Sequence, residues 1–232
     1  RLMYLYPSML TPRLLDTIGT SRRICNYIDV PVQHSVPGVL RRMRRPVGSA
    51  GIGDRICQAR EQYPDFAFRT TLIVGFPGES DQDFADLCKF IEHVSFDHLG
   101  VFTYSAEEGT PAADLPDQID PAVRAQRYAA VMEIQQGIAL RRRLSRVGSE
   151  LDVLIEDTLP GPTLDGYCSI GRTRSEAPEV DGRVFVDLPL VPGQIVQATV
   201  SAAEPYDLFA KVSGVPERSL KLASDPASTP IL

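Results

Sequence analysis

The chain has 232 residues, 43% of them apolar, and a formal net charge of −6; this suits one or two soluble domains with real cores. No apolar run reaches the ~18 residues of a membrane span, and no basic-then-apolar leader opens the sequence, so a cytoplasmic location is expected. The four cysteines, Cys25, Cys57, Cys88 and Cys168, are too far apart for a CxxC or CxxxCxxC metal motif and read as isolated thiols in a reducing compartment.

Met3-Tyr-Leu-Tyr6 reads as a strand from the outset, so the chain is expected to open inside a domain. Thr11-Pro12 starts a helix, with Thr as cap and Pro at the first helical position, and Gly19 stops it. Tyr27–Val32 reads as a second strand ending at Gln33-His34. Val39–Arg45 is a short basic helix. Ile52, Ile56, Ala59 and Tyr63 recur at helical spacing, and Pro64 ends that run. Phe68–Gly75 is a largely apolar strand of the kind buried on both faces in a parallel sheet. Ser80 with Asp83 resembles a capping box for the next helix, and Leu99–Tyr104 is the strand after it. This alternation argues for βα units, a parallel sheet and active residues at the strands' C-terminal ends. Only about four strands are present, fewer than a closed eight-stranded barrel needs.

Residues 106–120 form a loop. Pro121 opens a long helix to about Val147, its buried side assigned to Val123, Tyr128, Val131, Met132, Ile134, Gln135, Ile138 and Leu144. Arg141–Arg143 suit the helix C-terminus, either as a solvated end or as a phosphate contact. From Leu151 the period becomes two. Five short strands, near 151–156, 166–171, 184–188, 195–200 and 208–212, fit a small five-stranded antiparallel barrel of the oligonucleotide-binding kind. The expected domains are therefore 1–145 and 146–213, with a disordered tail over 214–232. Residues 1–149 carry 18 Lys and Arg against 17 Asp and Glu, whereas 150–212 carry 4 against 11. The barrel is an acidic module that repels phosphate backbones and attracts basic surfaces.

Several segments carry a resemblance. Tyr27-Ile-Asp-Val-Pro-Val-Gln-His34, Leu40-Arg-Arg-Met-Arg-Arg45, Arg69-Thr-Thr-Leu-Ile-Val-Gly-Phe-Pro-Gly-Glu79, and Phe96–Ser105 with Glu108-Gly-Thr-Pro111 are similar to the late barrel strands of the radical S-adenosylmethionine (SAM) methylthiotransferases. Residues from about 146 to 212 resemble a TRAM domain. The resemblance implies an α/β fold: an incomplete, TIM-like radical SAM barrel of parallel strands followed by the small TRAM barrel. Ile170-Gly-Arg-Thr and Ala177-Pro-Glu-Val-Asp-Gly182 are more similar to the branch that methylthiolates the β-carbon of an aspartate in small-subunit ribosomal protein S-twelve. The alternatives are a tRNA-adenosine methylthiotransferase of the same family and a noncatalytic docking module.

That resemblance further implies SAM and two 4Fe–4S clusters in the full-length enzyme, whose cysteine triplets these four cysteines do not supply. No catalytic or metal-ligating residue, no bound cofactor and no activity are expected of this chain alone. For SAM, Gln33 is placed to bond hydroxyls or the amino-acid end, or to support its loop. Arg69 is placed to clamp a carboxylate, although it precedes the strand end by several residues. Ile73, Val74 and Gly75 would wall the adenine, with Gly75 and Gly78 allowing close backbone approach. Phe102, Thr103 and Tyr104 would lie beside it, Tyr104 equally well as core. His34 reads as a satisfied structural histidine, and Glu79 as a loop brace or cap. The partners implied are a basic small-subunit ribosomal protein on the acidic barrel and ribosomal RNA at Arg41, Arg42, Arg44 and Arg45, a patch that also suits a solvated face. A monomer is expected.

Overall fold

The computed structural model describes residues 1–45 and 51–214; the tail expected to be disordered lies, from residue 215, outside them. The chain divides into two compact units between Ala139 and Leu140.

In the first unit the elements run α1 (Pro12–Gly19), β1 (Tyr27–Asp29), α2 (Pro37–Arg42), α3 (Ile52–Gln62), β2 (Ala67–Val74), α4 (Asp81–Val94), β3 (His98–Thr103) and the start of α5 (Pro121–Leu144). The three strands form a parallel sheet in the order β1-β2-β3. Helix starts follow local chemistry. Thr11 accepts a hydrogen bond from the Leu14 N–H at 3.2 Å, with Pro12 at the first position. At α4 the capping box is reciprocal: Asp83 N–H donates to Ser80 Oγ and Ser80 N–H to the Asp83 carboxylate. Asp81 and Asp83 also place negative charge at the positive end of the helix.

The expected first strand over Met3–Tyr6 is replaced by one parallel bridge, Leu2 to Ile28. Tyr4 adopts a left-handed φ of +57° and stands exposed. Its N–H leaves the ladder to reach the Asp29 carboxylate, and an aromatic alternation alone could not foresee that. The strand read over 27–32 is also shorter. Beyond Asp29 the regular ladder with β2 gives way to the Val30 N–H on the Arg69 carbonyl, the Thr70 hydroxyl bonded to Val30 and Val32, and the isolated Gln33–Leu72 bridge. Strand β2 is not buried on both faces. Thr70, Leu72 and Val74 are buried, while Arg69, Thr71 and Ile73 are half-buried on the opposite side. The apolar core lies on the helix side, where Leu72, Val74, Phe68 and Ile28 meet Ile56, Leu87, Ile91 and Val131. Phe66 stacks on Phe68 at 5.3 Å. Asp97 ties the start of β2 to α3 by accepting from Phe68 N–H at 2.8 Å and Arg60 at 2.7 Å.

The second unit is a closed five-stranded barrel: β4 (Glu150–Thr158), β5 (Ser169–Arg172), β6 (Val184–Val186), β7 (Ile195–Ala203) and β8 (Leu208–Gly214). Around the ring the order is β4-β5-β6-β8-β7. Four neighbouring pairs are antiparallel, but β6 and β8 run parallel, with Phe185 opposite Phe209. The expected all-antiparallel barrel is thus corrected, and the reason is parity. Strand direction cannot alternate all the way round a closed ring of odd number. The interior is filled by small branched and aliphatic side chains, Val153, Ile155, Val184, Val186, Val196 and Leu208 among them. Gly171 lets β4 and β5 close up beside a bulge: a Cβ there would lie 2.4 Å from the Leu154 carbonyl oxygen. Arg143, read as part of a solvated helix end or a phosphate contact, is buried and ion-paired to buried Glu176 at 3.3 Å. Glu176 also accepts from the backbone and hydroxyl of Thr173.

Two outcomes test these packing arguments. Ser80→Ala should cost ~1 kcal/mol through loss of the cap. A Cβ at Gly182 would sit 1.5 Å from the Tyr206 carbonyl oxygen, whereas one at Gly161 meets nothing. Gly182→Ala should therefore cost ~3 kcal/mol or more and Gly161→Ala almost nothing, both read from urea-unfolding midpoints.

Candidate functional site

The C-terminal ends of β1, β2 and β3 converge on three loops of the first unit, the position where parallel sheets bind ligands. Beyond β1 the chain stays hydrogen-bonded to β2, and Gln33 sits between two strand-type hydrogen bonds: its N–H donates to the Thr71 carbonyl at 2.9 Å and its carbonyl accepts from Ile73 N–H at 2.8 Å. Those bonds hold it at a left-handed φ of +69°, a conformation that costs a glutamine ~1 kcal/mol or more.

His34 turns inward and is fully buried. Its Nδ1 accepts from the Val36 N–H at 3.0 Å. The ring proton therefore belongs on Nε2, which faces Glu79 Oε1 at 3.4 Å. Glu79 is itself buried; its other oxygen accepts the Gly75 N–H. Arg127 from α5 completes the group, 3.2 Å from that carboxylate, while also donating to the Glu79 carbonyl at 3.0 Å and to Asp81 at 2.7 Å. One carboxylate thus joins the end of β1, the loop after β2 and helix α5. Arg42 adds a second clamp, donating to the carbonyls of Pro77 at 3.1 Å and Gly78 at 2.8 Å.

Between these loops lies a cavity of about 320 Å³. Ile73, Phe76, Met43, Ala112 and Leu115 give it an apolar floor, and Gln33, Thr110, Arg42, Arg44 and Arg45 line the rest. Of the residues singled out for SAM in the sequence, Gln33 and Ile73 line this cavity. Phe102 is paired with Ile73 in register and is 62% exposed, and Thr103 follows it, also exposed. The others lie elsewhere. Val74 directs its side chain into the core. Gly75, at φ +74°, is covered by Arg124: a Cβ there would meet Arg124 Cγ at 2.2 Å. Its glycine serves the approach of α5. Arg69 lies five residues before Val74, on the half-buried face, 3.5 Å from Asp29. Tyr104 is buried edge-on against Phe76 at 5.1 Å, and its hydroxyl has no hydrogen-bond partner among the described residues.

Sequence reasoning missed Arg124 and Arg127. Arg124 donates to the Tyr104 carbonyl, so both arginines tie α5 to the strand ends. A signal was present: 124, 127, 131, 135 and 138 share one helical stripe, with arginines continuing the phase of Val131, Gln135 and Ile138. The four cysteines lie apart and half-buried. Burial foremost, then the charges of Glu92 and Glu79, raises the Cys88 thiol pKa, away from the thiolate that iron needs. Among the described residues no group of three or more His, Cys, Asp or Glu is arranged to hold a metal, and no helix is long and apolar enough to cross a membrane.

On the barrel, Tyr167, Phe209 and Phe185 form a half-buried row, 5.1 Å and 5.3 Å apart. A cavity of about 270 Å³ lies on the same unit, lined by Glu156, Asp157, Glu179 and Asp181 with Arg172 and Arg183. Arg172 is held by Glu156 at 2.6 Å.

Residues 147–212 match the TRAM domain family. Among curated proteins, the ribosomal protein uS12 methylthiotransferase RimO of Lachnoclostridium phytofermentans is 42% identical over 211 residues, 90% of this chain and 47% of its own. The protein of that name from Thermosynechococcus vestitus is 45% identical over 210 residues, covering 90% and 46%. That from Roseiflexus castenholzii is 44% identical over 216 residues, covering 93% and 44%. The chain spans rather less than half the length of these relatives. Matched along at least nine-tenths of its residues, and matching the TRAM domain family in its barrel, the chain is homologous to the RimO proteins over somewhat less than half of their length.

Proposed function

We propose that this protein is a radical SAM methylthiotransferase that adds a methylthio group to the β-carbon of an aspartate in ribosomal protein uS12. In this reading residues 1–145 are the C-terminal portion of the radical SAM domain and 146–213 the TRAM domain, in a cytoplasmic monomer. The similarity to proteins of that name at 42–45% identity carries the proposal. The acidic barrel favours a basic protein partner over tRNA, whose phosphates it would repel.

The residues present fit SAM in part. Gln33 offers a donor and an acceptor at a cavity wall, while Ile73 and Phe102 offer apolar surface on the same face of the sheet. When bound, SAM supplies the methyl group and the carbon-centred radical. The described residues do not fit a 4Fe–4S cluster, since no cysteine triplet is assembled among them; cluster ligands would come from elsewhere in the whole protein. This segment's task is to bind and orient. Glu79, His34 and Arg127 fix the loop after β2, and Gln33 and Ile73 meet the ligand.

The test is the full-length enzyme, reconstituted anaerobically with iron and sulfide and given uS12, tRNA and SAM. A single methylthio mass on an aspartate of uS12 is expected; modification of tRNA alone would overturn the reading. In the same enzyme Gln33→Ala should weaken SAM binding ~10-fold, the loss of about one good hydrogen bond. Arg127→Ala leaves Glu79 buried without its cation and should cost ~3–5 kcal/mol in urea unfolding, with Arg127→Met/Glu79→Gln regaining much of it.

A further inference from the structure

Helix α2 ends in an uncommon way. The Arg45 N–H bonds the Leu40 carbonyl at 2.8 Å, and the Arg44 N–H bonds the Arg41 carbonyl at 3.0 Å. This is a Schellman ending, in which the residue at the Arg44 position turns left-handed and is usually glycine. Here it is an arginine at φ +52°. An L side chain in that conformation is a standing cost, and such strain concentrates at functional sites.

What the strain achieves is visible in the cavity. Arg44 and Arg45 stand together on its wall, both exposed, above the floor of Ile73, Phe76 and Leu115. Arg42, by contrast, is spent on the Pro77 and Gly78 carbonyls. Among the described residues no carboxylate pairs with Arg44 or Arg45; the Arg45 guanidinium instead lies 5.7 Å over the Tyr6 ring. Two guanidiniums of consecutive residues on one cavity wall, paired with no carboxylate among the described residues, present N–H donors suited to a carboxylate.

We propose that Arg44 and Arg45 form a carboxylate-binding rim that receives the acidic side chain of the polypeptide acceptor, with Thr110 and Gln33 on the same cavity wall. The proposal rests on the aspartate methylthiotransferase reading and adds to it the residues that select an acidic side chain. The amino-acid end of SAM carries the same chemistry, so the test separates the two.

The 232-residue chain would be titrated, with amide NMR shifts as readout, with N-acetyl-aspartyl methylamide, its asparaginyl counterpart, S-adenosylhomocysteine and a short oligoribonucleotide. Saturable shifts at Gln33 and Thr110 are expected with the aspartyl compound. Affinity should be ~10-fold lower or worse for the asparaginyl one, and it should fall similarly in Arg44→Gly and Arg45→Gln but not in Arg41→Gln. Arg44→Gly relieves the left-handed strain, so its melting temperature should hold or rise by ~2–4 °C; a merely structural Arg44 would lower it. Equal binding of the two amides overturns the proposal. So does an Arg44-dependent response confined to S-adenosylhomocysteine or to the oligoribonucleotide. In the full-length enzyme, Arg44→Gly should raise KM for uS12 ~10-fold with kcat little changed. Absence of uS12 modification by the unaltered enzyme would sink the functional reading, whereas normal kinetics in the variant would sink only the rim.

Discussion

The loops at the candidate site depend on one buried carboxylate. Glu79 would be costly to bury as an isolated ion. It is tolerated because a backbone N–H, an imidazole N–H and a guanidinium surround it. Each of those donors comes from a different part of the fold: Gly75 from the loop after β2, His34 from the end of β1, Arg127 from α5. Satisfying one charge therefore fixes three elements against one another. The cavity wall at Gln33 and the apolar floor at Ile73 and Phe76 inherit their positions from that group. A site made of loops needs such an anchor, because loops alone hold geometry poorly.

Much of the fold was legible because its signals are local. Thr11-Pro12 and Ser80 with Asp83 announce helix starts by the hydrogen bonds their side chains can make, and both make them. The change to period two at Leu151 marks the barrel, and its five strands lie close to where alternation put them. Three features were hidden because they depend on distant partners. Tyr4 leaves the strand for an Asp29 carboxylate twenty-five residues away. Strand β2 buries only one face, which its composition does not reveal. The parallel pairing of β6 and β8 follows from ring closure, a property of no single strand.

The site was legible to a lesser degree for the same reason. Sequence placed attention on strand ends, but strand-end spacing does not say which way a side chain turns. Val74 faces the core and its neighbour Ile73 the cavity. The glycine at 75, read as room for a ligand, makes room for the stem of Arg124. The basic run at 41–45 looked uniform, yet Arg42 braces a loop while Arg44 and Arg45 face the cavity.

The odd ring of the barrel also bears on the order in which it can form. Strands β7 and β8 meet across a short turn, with Ala203 opposite Leu208. The ring shuts only when Leu151 finds Ala198 and Val184 finds Leu208. Those contacts close much longer loops, so their entropic cost falls due before the interior is sealed. The β7–β8 hairpin is thus the natural template, and the parallel seam between β6 and β8 is a late stitch. Until that seam closes, β6 and β8 each present an open edge to other chains, so the nascent barrel is most exposed to mispairing there.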